Sequence, residues 1–447
     1  MKNILGWVKS NIIIVISVVV IMVSLPVGYV FSNGWNKKIR VAREAEAKQA
    51  LTDVSNATVT YTLPAAMPGD KPLEVRAVPT SAMTEWFKGE RERVLAEVKG
   101  VVAEATAFNR KDRKPLVEGL FPGTGRAREI DQKIFAFMNV LCGDAEQNQP
   151  SSYQRLIDDA GAGDRADATK VASALKDLRD RIMASNGNRA LTAEEATALS
   201  KQLTDRRIGE LRRRAQEVSF YASVGAFSAD SNEQRAGWSV VPINRPSGVP
   251  TLNECFVFQW DYWVIQDTIN ALARANEDAS GDPLSVERAP VKRLVKMLIK
   301  DPPIYSEMPT DPSRESSRAA QAEPVYAFPG GVPLDKSFSV SGRKTNADDN
   351  KVYDVRIAEV TLIVASDELQ AVLSAFSQTN FMTVIDLDLE DIDPWSELKS
   401  GYYYGPDHVV KATIGIESIW LRSWLAPYMP ATIANNLGAE VPEDGGE

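Results

Sequence analysis

The chain has 447 residues, long enough for two or three folded units, and its 44% hydrophobic and 25% charged residues mark it as mainly globular rather than disordered. Its 51 basic and 60 acidic side chains leave a net charge of -9, an acidic balance that repels phosphate and argues against nucleic acid as a partner. One histidine, His408, and two cysteines, Cys142 and Cys255, fall short of a four-ligand zinc site and leave a nucleophile only one imidazole to use. No metal, cofactor or enzymatic activity is therefore expected.

Residues 1–11 read as a short tail. Residues 12–31, IIIVISVVVIMVSLPVGYVF, carry no charge. Twenty apolar residues at about 1.5 Å rise span the ~30 Å core of a bilayer, so a single transmembrane helix in contact with lipid is expected here. Lys2 and Lys9 precede the run, Lys37, Lys38, Arg40 and Arg43 follow it, and Trp7, Tyr29 and Trp35 suit the two interfaces. The run exceeds the ~7–15 apolar residues of a signal peptide, and no small-residue cleavage site follows it.

Residues 36–55, rich in Ala, Glu, Lys and Arg, continue the helix. Four prolines in residues 63–79 break it, and a further helix is expected over residues 82–110, with Phe87, Val94, Val98, Val101, Ala105 and Phe108 at heptad-compatible spacing. Residues 124–227 stay largely helical, with Thr192 and Glu195 forming a capping box for the last long helix. Residues 36–227 are thus expected to form an elongated helical stalk. A linker follows over residues 228–250.

Residues 251–425 change character. A helix is expected over residues 262–276 and strands over 288–300 and 352–364; a helix capped by Ser366 over 366–378 and strands over 381–391 and 409–420 follow. In the first strand Val291, Val295, Met297 and Ile299 alternate with Lys292, Lys296 and Lys300; in the third, Ile385, Leu387 and Leu389 alternate with Asp386, Asp388 and Glu390. The order helix-strand-strand occurs twice, and each half carries an insertion between its strands: residues 302–350, read as a mobile loop, and residues 394–405. Such a duplicated unit builds a ferredoxin-like sandwich, so the fold class is α+β. Residues 426–447 read as a C-terminal tail.

The glycines near 123–125 and 161–163 lack a preceding strand and a following Gly-Lys-Ser/Thr, so they read as turns rather than phosphate loops. The acidic run from Asp386 to Asp393 reads as a solvated sheet face that also discourages stray strand pairing, because calcium cages need a tight loop. Cys142 and Cys255 read as unpaired thiols, and His408 as a surface residue at the start of a strand. Tyr402, Tyr403 and Tyr404 close the second insertion; three consecutive tyrosines in a loop are not expected all to point inward, which makes them the candidate interaction surface.

In layout, the uncharged run 12–31, the helical region after it and the halves around Ile265 to Ile299 and Val360 to Trp420 resemble the type IV pilus inner-membrane protein PilO and its type II secretion counterpart GspM. The resemblance is architectural and carries no catalytic residues. It implies a structural scaffold of an inner-membrane assembly platform, with the globular part in the periplasm, working as a homodimer or paired with a PilN- or GspL-like single-pass protein. The excess of Lys and Arg after residue 31 would place that flank in the cytoplasm; the periplasmic assignment comes from the resemblance. Alternatives are an anchored ligand-binding or sensory module, or an envelope adaptor of a transporter or division complex.

Overall fold

A computed structural model of the chain describes residues 8, 11–63, 71–144, 147–187, 189–301, 341–343 and 351–439. The expected mobile insertion 302–350 falls outside them except for residues 341–343. The chain divides into two units, Met1–Glu104 and Ala105–Glu447.

In the first unit, α1 (Ile12–Asn56) runs unbroken through the apolar segment and the charged one after it. Among the described residues it is the one helix long and apolar enough to cross a membrane. The Pro-rich stretch does not simply end it: β1 (Val59–Leu63) and β2 (Leu73–Ala77) pair antiparallel, from Val59 opposite Ala77 to Leu63 opposite Leu73. The alternation in VTYTL and LEVRA is short enough to be lost among the prolines. Tyr61 stacks on Phe87 of α2 (Ser81–Arg110) at 4.7 Å, and its hydroxyl lies 2.8 Å from Thr84 Oγ1.

The second unit is organised on an antiparallel sheet of order β3-β4-β6-β5: β3 (Val291–Ile299), β4 (Tyr353–Ala365), β5 (Met382–Asp391) and β6 (Val409–Leu421). Two long helices, α8 (Leu252–Ala275) and α9 (Leu369–Thr379), share a core with one sheet face, where Val360, Leu362, Ile414 and Ile416 meet Trp260, Ile265, Ile269, Val372 and Phe376. Burying each such side chain contributes about 1.5–3 kcal/mol. A capping box between Thr251 and Glu254 starts α8 ten residues before the expected Tyr262. The earlier residues Phe256, Val257 and Trp260 are as buried as the later ones, so the whole helix is core. Ser366 does not cap α9: it opens a 3-10 turn (Ser366–Glu368), and its hydroxyl meets His408 Nδ1 at 3.1 Å.

Residues 120–162 and 220–227 are core rather than stalk. The helices α3 (Ala127–Cys142) and α4 (Ser152–Asp159) bury Phe137, Leu141, Tyr153 and Ile157 in the same core as α8. Phe121 meets Phe256 edge-on at 5.5 Å, and Tyr153 meets Tyr262 at 6.0 Å. These residues were apolar at helical spacing for a tertiary reason. The next pair, α5 (Ala168–Ser185) and α6 (Ala193–Glu217), is different: α5 has no buried residue, and α6 buries only Leu211 and Ala215 near its end. Thr192 and Glu195 do form the expected capping box, and Arg189 helps hold the Glu195 carboxyl down at about 2.

The linker is also structured. It contains the short helix α7 (Ser231–Arg235), and the Ser239 amide donates to Ile299 O of β3. The expected C-terminal tail, residues 426–447, is partly core: α12 (Ala431–Leu437) buries Ile433, Ala434 and Leu437 beside Trp424 and Leu425 of α11 (Arg422–Leu425), which ends the preceding domain. Residues 440–447 lie outside the described part.

Candidate interaction surface

The tyrosine loop sits between β5 and β6. Asp393 caps α10 (Pro394–Lys399) by accepting from the Trp395 amide, and the chain then turns at Gly401 (φ +96°) and Gly405 (φ +86°). At Gly405 an added Cβ would lie 2.7 Å from Glu287 O, so only glycine permits that approach. Between these turns all three tyrosines pack inward. Tyr404 is buried, Tyr402 and Tyr403 half-buried. The Arg293 guanidinium lies 3.7 Å from the Tyr402 ring centre. Tyr402 and Tyr404 stack at 6.2 Å, and Tyr221 meets Tyr402 edge-on at 5.2 Å. Glu397 Oε2 accepts from the Tyr404 hydroxyl at 2.7 Å and from Arg293 Nη1 at 2.9 Å. Burial and the Glu397 carboxylate push the Tyr404 phenol well above its ordinary value. The expectation that part of this loop must face outward is thus corrected for Tyr404: two glycine turns and a cation between the rings let neighbouring tyrosines share one interior. The aromatic that does face solvent nearby is Trp395, 70% exposed.

Four charge pairs are sequestered in the second unit. Arg356 binds Asp261, which also accepts from the Ser239 hydroxyl; Arg113 binds Asp267; Arg422 grips Asp354 through Nε at 3.0 Å and Nη2 at 2.6 Å; and Lys292 Nζ lies 2.7 Å from Asp407. Burial raises the Asp261 and Asp354 carboxyls and lowers Arg113, against the opposing pull of their partners. Two of the guanidiniums lie over tryptophans, Arg356 on Trp260 and Arg113 on Trp420, each at 4.9 Å. These pairs join distant segments, and all but the Lys292–Asp407 pair, whose carboxylate faces solvent, are buried on both sides. Pairs of this kind add less to stability than to the choice of one packing arrangement.

Two open grooves lie on the α5–α6 pair. One of about 550 Å³ is lined by α6 alone; another of about 380 Å³ is lined by Leu175, Leu191, Leu199 and Leu203 with few polar groups. Neither encloses the convergent polar groups that a small ligand needs. Among the described residues no cluster of His, Cys, Asp and Glu is placed to hold a metal ion. Both cysteines are free thiols; burial drives Cys142 up to about 11 and Cys255 up to about 12, away from the reactive thiolate.

The sheet edges differ. The outer edge of β3 is closed: the Tyr221 amide donates to Lys292 O, the Leu294 amide to Tyr221 O, and Ser239 to Ile299 O. Along β5 no backbone group among the described residues pairs with the outer edge. Its residues from Asp386 to Asp391 are exposed on both sides. Leu387 and Leu389 lie opposite the core residues Ile414 and Ala412 yet remain 37% and 48% exposed. Asp386, Asp388 and Glu390, opposite Gly415, Thr413 and Lys411, occupy the other face, where Glu390 pairs with Lys411 at 2.8 Å. Sequence reading found this charge alternation and could not tell which of the two outer strands would be left bare.

No family model matches the chain, and no curated protein does. Among solved structures it is similar to the type 4 fimbrial biogenesis protein PilO from Pseudomonas aeruginosa, at 12% identity and a TM-score of 0.13, over 16% of this chain and 47% of that one. The chain spans less than half the length of that structure, and a likeness of this size carries no structural or functional argument.

Proposed function

We propose that the chain is a single-pass, membrane-anchored scaffold that acts through protein–protein contacts in a type IV pilus or type II secretion inner-membrane platform, as its architectural resemblance to PilO and GspM implies. The observation that carries the anchor is α1: its uncharged first half exposes Ile13, Met22, Leu25 and Phe31 at 68–77%, a surface suited to lipid rather than water. The repeated order α8-β3-β4 and α9-β5-β6 supports the reading of the second unit as a duplicated ferredoxin-like sandwich. In this reading the anchor lies in the bacterial inner membrane and the folded units in the periplasm, paired with a second copy or with a PilN- or GspL-like protein.

Affinity purification of the tagged full-length chain from native membranes in mild detergent, with mass spectrometry of co-purifying proteins, tests this reading. Recovery of a second single-pass protein together with pilus or secretion components is the expected result. Recovery of the chain alone, or with transporter or division proteins, overturns it.

A further inference from the structure

We propose that the bare edge of β5 is a docking site for a β-strand of another protein, one in which lysine or arginine alternates with apolar residues. This names the kind of partner a contact-making scaffold would take, and rests on that reading.

The edge has the properties such a strand needs. It is ten residues long and has no strand on its outer side among the described residues, with the Leu387 amide bonded only to its neighbour Asp386 Oδ1 at 2.9 Å, while the opposite edge of the sheet is already closed by Tyr221 and Ser239. Addition of a strand would satisfy the backbone groups of this edge in the way that extended peptides join exposed edges elsewhere. The side chains divide by face: α9 and the core cover Met382 and Val384, whereas Leu387 and Leu389 continue the apolar face past that cover. The opposite face carries Asp386, Asp388 and Glu390, and Asp391 ends the strand with 3.8 Å to His408 Nε2.

Charge decides the occupant. Residues directly opposite across a strand pair project from the same face. If a second copy added its own β5 with the apolar faces together, carboxylates of one copy would stand beside carboxylates of the other, and a one-residue slip would set those carboxylates beside Leu387 and Leu389 instead; both arrangements are destabilising. A strand with basic residues at alternate positions would instead neutralise that face and lay its apolar residues beside Leu387 and Leu389. One row of like charge thus repels the self-pairing that threatens any bare edge and attracts a partner of opposite sign.

The test uses the detergent-solubilised full-length chain and an eight-residue, end-capped peptide alternating lysine with valine. Three control peptides accompany it: the same residues with the lysines grouped, an N-methylated copy lacking backbone donors, and a glutamate-valine alternate. The alternating lysine peptide is expected to bind, to slow amide exchange specifically over residues 382–391, and to weaken at least tenfold in the Asp386→Lys, Asp388→Lys double variant. The controls should bind at least tenfold more weakly. Both substituted positions are exposed, and an unchanged urea midpoint checks that the variant is folded. A single Leu389→Lys variant with native carboxylates gives a second measure and should weaken binding as well.

Equal binding of the grouped or N-methylated peptide overturns the proposal, because it reduces the effect to charge alone. Protection elsewhere in the chain overturns it too, as does efficient disulfide capture between two Asp388→Cys copies, which would make the edge a self-contact. The scaffold reading is judged separately. If the charge-reversed variant still recovers pilus or secretion components from membranes, the scaffold stands and its contact lies on another face.

Discussion

The two outer strands of the sheet carry the same kind of sequence and meet opposite fates. In β3 and the residue after it, Lys292, Lys296 and Lys300 recur among apolar residues; in β5, Asp386, Asp388 and Glu390 do. The lysine strand is covered. Two register shifts, between Val291 and Arg293 and between Leu294 and Lys296, turn Leu294 into the core and put Lys292 in the interior, where Nζ donates to Val286 O at 2.9 Å and Glu287 O at 3.2 Å. Lys296 reaches Glu233 of the linker helix, and Lys300 reaches Ala236 O while lying 4.8 Å from the Trp238 ring centre. Each cation has become a strut between β3 and the segment that covers it. The carboxylate strand has one such strut, Glu390 to Lys411, and that reaches inward across the sheet. Alternating charge on a strand therefore says little about exposure by itself. A long flexible ammonium can be absorbed by carbonyls and carboxylates of a covering loop, whereas short carboxylates need donors, and among the described residues Asp386 and Asp388 meet no cationic side chain.

The sharpest way to break this contrast is at Lys292. Replacing it with Met keeps most of the apolar stem and removes the ammonium, leaving the Val286 and Glu287 carbonyls without their donor. A loss of roughly 2–3 kcal/mol is expected. The Asp388→Ala change at the matching place on β5 should fall within about 0.5 kcal/mol, as exposed substitutions do. Urea unfolding followed by fluorescence of the buried tryptophans 260, 263, 420 and 424 compares the two. Equal losses would mean that β5 is covered as β3 is.

A smaller effect is expected at the loop that packs behind Arg293. The Tyr404→Phe change removes only the hydroxyl bond to Glu397, and Glu397 keeps its Arg293 partner, so about 1 kcal/mol should be lost. The Tyr404→Ala change also empties a buried ring site and should cost about 3–5 kcal/mol, by analogy with other aromatic truncations. If the Ala variant unfolds like the parent in the same assay, the loop is a surface feature after all and the inward packing is wrong.

What could be read from residues alone was local. Strands β4 and β6 lie within a residue or two of their expected spans: in β6 Val410, Ala412, Ile414, Ile416 and Trp420 recur at even spacing, and in β4 the β-branched and apolar run from Val360 to Val364 marks the strand. The acidic strand and the Thr192–Glu195 capping box were visible because their signals are local, whereas the boxes at Asp230–Glu233 and Thr251–Glu254 were not picked out. What escaped was decided by partners far away in sequence. Residues 127–159 look like any amphipathic helices, and only the matching apolar surface on α8 makes them core rather than stalk. Lys292 reads as a solvent-facing lysine until the bulges and Asp407 are in place. The three tyrosines look like too much aromatic surface for one loop until Arg293, Tyr221 and Glu397 are brought around them. The acidic run of β5 already read as an edge that resists stray pairing, but nothing within β3 names the segment that covers the other edge.

The smallest expected effect concerns the space between the two edges. Burial, reinforced by the nearby carboxylates of Glu233 and Asp386, raises Glu359 on β4 above its ordinary 4.5, while Lys296 and Lys300 pull it back. The folded chain then holds this proton more tightly than the unfolded chain. The group's contribution is fully present below the unfolded value and is lost as pH rises through the folded one. Asp386→Asn removes one source of repulsion from the bare edge and leaves the lysines of the covered edge in place. The urea midpoint of this variant should therefore fall less than the parent's between pH 4 and pH 7, with the two converging at the acid end where Glu359 is protonated in both states. A Lys296→Met variant should shift the same curve in the opposite sense, because the cation that favours the ionised form is gone. If the Asp386 change leaves the pH dependence untouched and the Lys296 change alters it, then the charge at the bare edge is fully screened by water, and β4 senses only the edge that is covered.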